Sequence, residues 1–455
     1  MKIIIVGLGQ TGNLLISSLS NESFDVTVID KDRKTVDAVT DKYNVNGVVG
    51  SGASRETLLK AGADTADAIV ALTHVDEINL LSCMQAKSLG TRFAAARILL
   101  PDFISEAEDL KKEYNIDYLI KPRQDIAEEI DRNIGMPGFT KLEGFWGNEV
   151  QLLSMNVLDN SLLKDRTLTD IKKSLGFDFL IINVMRNGKI YIPRGDFMIE
   201  SGDSITVAIS KKNMEESLQR LGIKRSRAKK IVIIGGSNTC IYLIDTFKKN
   251  RDKITILEHD SSRCRELMER YPDINIVYAG GETLEILEEE KVATADVMIS
   301  LTDNDETNLV TSMYGWSCNI PSIITRVDRP EHLKLLHKVN IDITVSPAEL
   351  SAMKAFRFLL SHEAEDAGKD IGKFYLLADG LGEIIEFRAG EDFRKLDTVF
   401  ADKAFKLKKD VLVTAIIRDN ELIIPSGNTS IKKGDQVIIT STRKNHIRSL
   451  NEILS

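Results

Sequence analysis

The hexapeptide Gly7-Leu8-Gly9-Gln10-Thr11-Gly12 stands directly after the apolar run Ile3 to Val6 and opens a helical pattern, and Asp30 ends the next apolar run. Glycines at this spacing suit a pyrophosphate. The first permits a tight turn, the second lets phosphate oxygens approach the backbone, and the third lets helix and strand pack closely while the helix N-terminus faces the anion. Asp30 is placed to accept hydrogen bonds from adenosine ribose hydroxyls, and an acid there disfavours a 2′-phosphate, so NAD(H) is expected over NADP(H). The competing reading is a domain of the same type whose glycines serve packing alone.

These residues need parallel strands to carry them. Short Val/Ile-rich runs alternate with helical stretches, the pattern of βαβ crossovers, with strands expected at Ile3 to Val6, Val26 to Ile29, Gly47 to Val49, Ala68 to Leu72, Phe93 to Ile98 and Tyr118 to Ile120. Ligands in such sheets sit outside the carboxyl ends of the strands. Ser51 after the third strand, Thr73 and His74 after the fourth, and Arg97 near the end of the fifth would therefore line one crevice. Thr73 either offers a hydroxyl or caps a helix, Arg97 either meets phosphate oxygens or forms a surface ion pair, and His74 reads as an exposed loop residue.

The whole arrangement recurs. KIIIVG (Lys2 to Gly7) returns as KIVIIG (Lys230 to Gly235), with Asp30 answered by Glu258, at a shift of 228 residues. ALTHVDEINL (Ala71 to Leu80) returns as SLTDNDETNL (Ser300 to Leu309), with Arg97 answered by Arg326, at a shift of 229. A second segment also repeats: Val184 to Ser210 matches Ile416 to Thr442 at a shift of 232, pairing Arg186 with Arg418 and Gly202-Asp203 with Gly434-Asp435. The order is A-B-A-B. Unit B carries short strands, one small helix near Thr167 to Leu175 and turn signals such as Asn187-Gly188, which makes it a small α+β module.

The second A unit departs from the first where chemistry matters. It reads Gly235-Gly236-Ser237-Asn238-Thr239-Cys240, so both later glycines are gone, while Glu258, Thr302 and Arg326 remain. Ser237 puts a Cβ where the pyrophosphate would approach. That crevice is either retained with altered preference or kept as architecture. Asp303-Asn304-Asp305-Glu306 lacks the pattern of a calcium loop and is expected to cap a helix. His332 and His337 do not share a helix face, and Trp146 and Trp316 are expected to pack.

Composition removes several function classes. A net charge of −8 from 60 Lys+Arg and 68 Asp+Glu disfavours a phosphate-binding surface for nucleic acid. Four cysteines without a C-x-x-C pair indicate neither a disulfide framework nor a metal site. No apolar run is long enough to span a membrane. No Ser/His/Asp, Cys/His or paired-carboxylate arrangement has a compelling spacing, so no catalytic residue is assigned. An NAD-dependent oxidoreductase nevertheless stays as the alternative function.

The A-B-A-B order, GLGQTG with Asp30, ALTHVDEIN, SLTDNDETN with Arg326 and the paired I-P-x-G…G-D modules resemble the TrkA family, peripheral NAD-binding subunits of bacterial Trk potassium-uptake systems, over essentially the whole chain. That family is built from RCK (regulator of potassium conductance) domains, each a Rossmann-type N-lobe followed by a C-lobe. The resemblance implies an α/β tandem with N-lobes at 1–137 and 228–364 and C-lobes at 138–224 and 370–455. It places one nucleotide site on Gly7 to Thr11, Asp30, Thr73, His74 and Arg97, and a second on Gly235 to Thr239 and Glu258. It further implies a non-enzymatic protein that binds NAD(H), with ATP and ADP as further ligands. Its expected assembly is a homotetramer at the inner, cytoplasmic face of the membrane beneath a membrane-embedded potassium channel subunit of the Trk type.

Overall fold

The computed structural model describes the chain outside residues 21–23, 135–138, 146–149, 160, 176–178, 222–227, 248–252, 280–283, 330–331, 333–335, 337–340, 342, 367–370, 378–380, 420 and 446. Strands β1 (Lys2–Val6), β2 (Asp25–Asp30), β3 (Asn46–Val49), β4 (Ala68–Ala71), β5 (Phe93–Arg97) and β6 (Tyr118–Ile120) form one parallel sheet in the order β3-β2-β1-β4-β5-β6. Helices α1 (Gln10–Leu19), α2 (Arg33–Tyr43), α3 (Arg55–Lys60), α4 (Asp76–Leu89), α5 (Pro101–Ser105) and α6 (Ala107–Glu113) connect them, and α7 (Pro122–Asn133) follows β6. Central β1 has no polar face. Ile3, Ile4, Ile5 and Val6 are all buried, as a parallel strand covered by helices on both sides requires. The chain leaves β1 toward β2 on one side and reaches β4 on the other, so a crevice opens at their carboxyl ends.

The second N-lobe repeats this order with strands Ile231–Ile234, Ile254–Glu258, Asn275–Tyr278, Val297–Ser300, Ser322–Arg326 and Ile343–Val345. The two N-lobes are joined by exchange of helices. On α7, Ile126, Ala127 and Ile130 are buried in the core of the second lobe beside Cys240, Ile241 and Ile244. In return, helix Pro347–Asp366 sets Lys354 Nζ 2.5 Å from Asp125 Oδ1 and stacks Phe358 on Tyr118 at 5.7 Å between ring centroids. Met1–Ile134 and Ala228–Leu359 thus form one compact unit, while Gly135–Arg227 and Leu360–Ser455 form another.

In the second unit each C-lobe is an antiparallel five-stranded sheet. The first runs Lys189–Tyr191, Phe179–Arg186, Ser204–Ser210, Val150–Asn156 and Phe139–Phe145 in spatial order. Asn187 and Gly188, at φ of 52° and 71°, make the two-residue hairpin turn that their types predict. Val150, Leu152, Ile182 and Ala208 of one sheet share a core with Ile384, Ala415, Ile417 and Ile438 of the other. The repeated Arg and Asp of unit B are bonded to each other. Arg186 donates from Nε and Nη2 to the two oxygens of buried Asp203 at 2.7 and 2.8 Å, and Arg418 does the same to Asp435 at 2.8 and 2.7 Å.

Trp316 corrects an expectation. The helix Asp305–Ser317 buries Asn308, Thr311, Ser312 and Gly315, and that phase turns Trp316 outward, leaving it 48% exposed. Trp146 and His337 lie outside the described residues. Among the described residues no helix is long and apolar enough to cross a membrane, and no three His, Cys, Asp or Glu side chains are placed to share a metal ion.

Candidate functional site

The three glycines of the first lobe are required for different reasons. Gly7 has φ +93°, and a Cβ there would lie 2.9 Å from the Thr73 nitrogen. A Cβ on Gly12 would lie 2.1 Å from the Gly7 carbonyl oxygen, so the close helix–strand contact needs its absence. Gly9 differs. Its φ of −66° suits any residue, and an added Cβ would meet only His74 Nε2, at an ordinary 3.7 Å. Folding alone therefore does not require glycine at position 9, and the reading in which all three glycines serve packing fails there.

Around Gly9 the groups suit an anion and a sugar. No side chain caps the N-terminus of α1, so its first-turn amides are available to a ligand. Asp30 accepts from the Leu8 amide at 2.8 Å through one oxygen and from the Asp32 amide at 3.0 Å through the other, which fixes its carboxylate at the rim with lone pairs to spare. Gly7, Gly9, Asp30, Gly50, Gly52, Thr73 and His74 line one open cleft, together with Lys31 and Val75. Leu8 is buried, Gln10 is exposed, and Ser51 turns its hydroxyl to the Ala53 amide at 3.3 Å between the two lining glycines.

Arg97 lies beneath the cleft. It is buried, so the surface ion pair considered for it is excluded. Its guanidinium donates to the Thr73 carbonyl at 2.7 Å from Nη2 and to the Thr11 hydroxyl at 3.2 Å from Nη1. Both acceptors are neutral, and burial pushes its pKa down to about 10, opposed by Asp76. Thr73 neither caps α4 nor hangs free. Its hydroxyl donates to Asn79 Oδ1 at 2.7 Å.

Asn79 and Asp76, outside the glycine-loop motif, hold the rim of the cleft. Fully buried Asn79 accepts from the Thr73 amide at 2.8 Å and donates to the carbonyls of Thr73 and Arg97, both at 2.9 Å, so it ties the rim of β4 to that of β5. Asp76 accepts from the Leu99 and Leu100 amides, both at 2.7 Å. The signal was present as Thr-x-x-Asp-x-x-Asn in both copies, because Asn308 makes the same bonds to Thr302 and Arg326 and Asp305 receives the Asp328 and Arg329 amides. Helix capping in the acidic stretch belongs to Asn304, whose side chain accepts from the Thr307 amide.

His74 is exposed but stands at the cleft wall. Partial burial and then the Arg97 charge hold its imidazole below the usual value, with Asp328 opposing. The ring is therefore neutral at pH 7, and protonation would add a cation beside the α1 N-terminus. Affinity for a phosphate-bearing ligand should accordingly rise as pH falls through that lowered pKa, below about 6.5. Titrations from roughly pH 5 to 8 on the protein and on His74→Ala test this; parallel pH profiles would remove His74 from the site.

The second crevice retains the plan with altered contents. Gly235 keeps φ +100° and Glu258, now buried, accepts from the Gly236 amide at 2.6 Å and from the Asp260 amide at 2.8 Å. Ser237 occupies the place of Gly9, while Thr239 and Cys240 are buried. Arg263 lies along the loop, donating to the Gly236 carbonyl at 2.5 Å and to Asn238 Oδ1 at 2.9 Å. Arg326 pairs with Asp303 and, at 3.0 Å, with Asp328.

Fold and site define a duplicated RCK-type protein, two Rossmann-like N-lobes each followed by a small α+β C-lobe, with a glycine-loop crevice in each N-lobe. The TrkA-N domain matches residues 3–122 and 231–347, and the TrkA-C domain matches 152–239 and 401–455. The chain belongs to the TrkA family. It is 30% identical over 451 residues to the Trk system potassium uptake protein TrkA homolog 1 of Methanosarcina mazei, covering 97% of each chain. It is 27% identical over 458 residues to the Trk system potassium uptake protein TrkA of Haemophilus influenzae, covering 100% of this chain and 98% of the relative. Among solved structures, the RCK domain of GsuK superposes with a TM-score of 0.62 at 17% identity, covering 97% of this chain and 92% of that one. The GsuK channel bound to NAD gives 0.61 at 18%, covering 97% and 77%.

Proposed function

We propose that this chain is a non-enzymatic regulatory subunit of a potassium-uptake system that binds NAD(H), in competition with ATP and ADP, in the first N-lobe crevice. The observation that carries this reading is Gly9, a glycine without a folding reason, between uncapped helix amides and a rim carboxylate. Its relatives named for Trk potassium uptake, and the NAD-bound GsuK channel of like fold, support the partner and the ligand class. The partner is a membrane-embedded channel subunit of the Trk type, met at the cytoplasmic face by a homotetrameric ring. A nucleotide influences that partner only by the difference in its affinity for two ring conformations.

Calorimetric titration with NADH, NAD+, ATP and ADP tests the reading. Saturable binding without cofactor turnover is expected. Absence of binding would overturn it, and turnover with a small substrate would favour the oxidoreductase. Arg97→Ala removes charge-assisted bonds of about 1.5–3 kcal/mol and the clasp on the Thr73 carbonyl, so nucleotide affinity should fall roughly tenfold or more. An unchanged affinity would remove Arg97 from the site.

A further inference from the structure

The two crevices share a buried arginine and differ in what neutralises it. Taking a guanidinium out of water is costly unless an anion accompanies it. In the first lobe Arg97 bonds a carbonyl and a hydroxyl, and the nearby Asp76 spends an oxygen on two backbone amides. In the second lobe Arg326 bonds two carboxylates, Asp303 from Nη1 and Asp328 from Nη2. Those acids stand where the first lobe has His74 and Leu99, at the same shift of 229 residues. Burial lowers the pKa of Arg97, whereas at Arg326 burial is outweighed by the two acids and the pKa is raised.

Elsewhere in the second crevice Ser237 Oγ and Arg326 Nε are buried without a hydrogen-bond partner, but the space and the other cation are taken. Ser237 places a side chain where Gly9 leaves room. Arg263, a cation that could have received phosphate, has its Nε, Nη2 and Nη1 turned to Gly236, Asn238 and Glu266. Glu258 reaches under the loop so closely that a Cβ on Gly236 would lie 3.0 Å from its Oε2.

Resting on the reading of the first crevice as a nucleotide site, we propose that Asp303 and Asp328 are built-in anionic ligands of Arg326, which close the second crevice to nucleotide phosphate and leave one nucleotide site per chain. The second lobe then holds two carboxylates on its arginine without ligand, where the first has a carbonyl, a hydroxyl and the charge of nearby Asp76 until a phosphate arrives. Asymmetry between the repeats is a specificity device: one crevice senses and the other is fixed.

Stoichiometry tests this, with NADH and ADP as probes of the full-length protein. Wild type should bind one nucleotide per chain and Gly9→Ala none. Because Ser237 carries the Cβ that Gly9 lacks, Ser237→Gly alone should still bind one, Ser237→Gly/Asp303→Asn/Asp328→Asn should bind two, and that triple variant combined with Gly9→Ala should bind one. Where the triple variant fails to fold, Ser237→Gly/Asp303→Asn suffices, because the Asp303 carboxylate is 76% exposed in its side chain, and it should again raise the count. Two sites in wild type, or one surviving in Gly9→Ala, would overturn the proposal and leave nucleotide binding as such intact. An unchanged count of one in the folded acid variants would also overturn it. No site at all in wild type would instead sink the functional reading beneath it.

Discussion

Alanine at position 9 should leave thermal unfolding unchanged and remove nucleotide binding. The added methyl meets one side chain, at 3.7 Å, and the backbone there is already in a region open to every residue. The bound state is different, because a pyrophosphate packed against the loop must occupy the volume of that methyl. Relieving such an overlap costs about 1–3 kcal/mol in a well-packed site, roughly a tenfold to hundredfold loss of affinity, and more where phosphate hydrogen bonds to the amides are also lengthened. Gly12→Ala supplies the contrast, since its methyl would press on the Gly7 carbonyl oxygen at 2.1 Å; that variant should lose stability whether or not ligand is present. Calorimetry on both separates binding from packing. Full affinity in Gly9→Ala would mean that the ligand does not lie over the loop.

Removing the Asn79 amide should be the most disruptive change that touches neither glycine nor charge. Asn79→Ala strands the Thr73 amide and removes one partner each from the Arg97 carbonyl, from the Thr73 carbonyl, which keeps Arg97, and from the Thr73 hydroxyl, which keeps the Val75 carbonyl. Buried polar groups left unpaired cost about 1–3 kcal/mol each before relaxation or entering water offsets part of it, so a loss of roughly 3 kcal/mol is expected in denaturant unfolding. Nucleotide affinity should fall with it, because the β4 rim is no longer held. Asn308→Ala removes the same partner from the matching groups of the second lobe. It should lower stability comparably and leave nucleotide affinity unaltered. Equal losses of affinity in both variants would show that the clasp acts through stability alone.

Much of this was legible in the residues. Alternating apolar runs gave every strand of the first N-lobe to within about two residues, since a parallel strand covered on both faces leaves an unbroken Val/Ile signature. Asn187-Gly188 announced its hairpin through the positive φ that only such residues adopt readily. What stayed hidden was long-range. Nothing near Arg97 in the chain says that it turns inward to Thr73 and Thr11, because those partners sit on other strands and helices. The pairing of Arg326 with Asp328 could be guessed from proximity, but its pairing with Asp303, which lies after a different strand, could not. Asn79 was visible twice, in ALTHVDEINL and SLTDNDETNL, yet one side chain bridging two strand ends follows no helical or strand period. Trp316 faces outward against its residue type because a helix that buries Asn, Thr, Ser and Gly reverses the usual sense of which face is apolar.

The helix α7 gives the duplication a further meaning. Its Ile126, Ala127 and Ile130 are encoded in the first repeat and complete the core of the second, while Lys354 and Phe358 of the second repeat return the contact to Asp125 and Tyr118. The unit of duplication and the compact unit of the fold therefore do not coincide: the cut that separates the copies in the sequence runs through both compact bodies of the folded chain. A nascent chain released from the ribosome after its first repeat would still lack half the walls of each body. Until its own second half, or that of another molecule, arrives, Ile126, Ala127 and Ile130 of α7 have no core to enter.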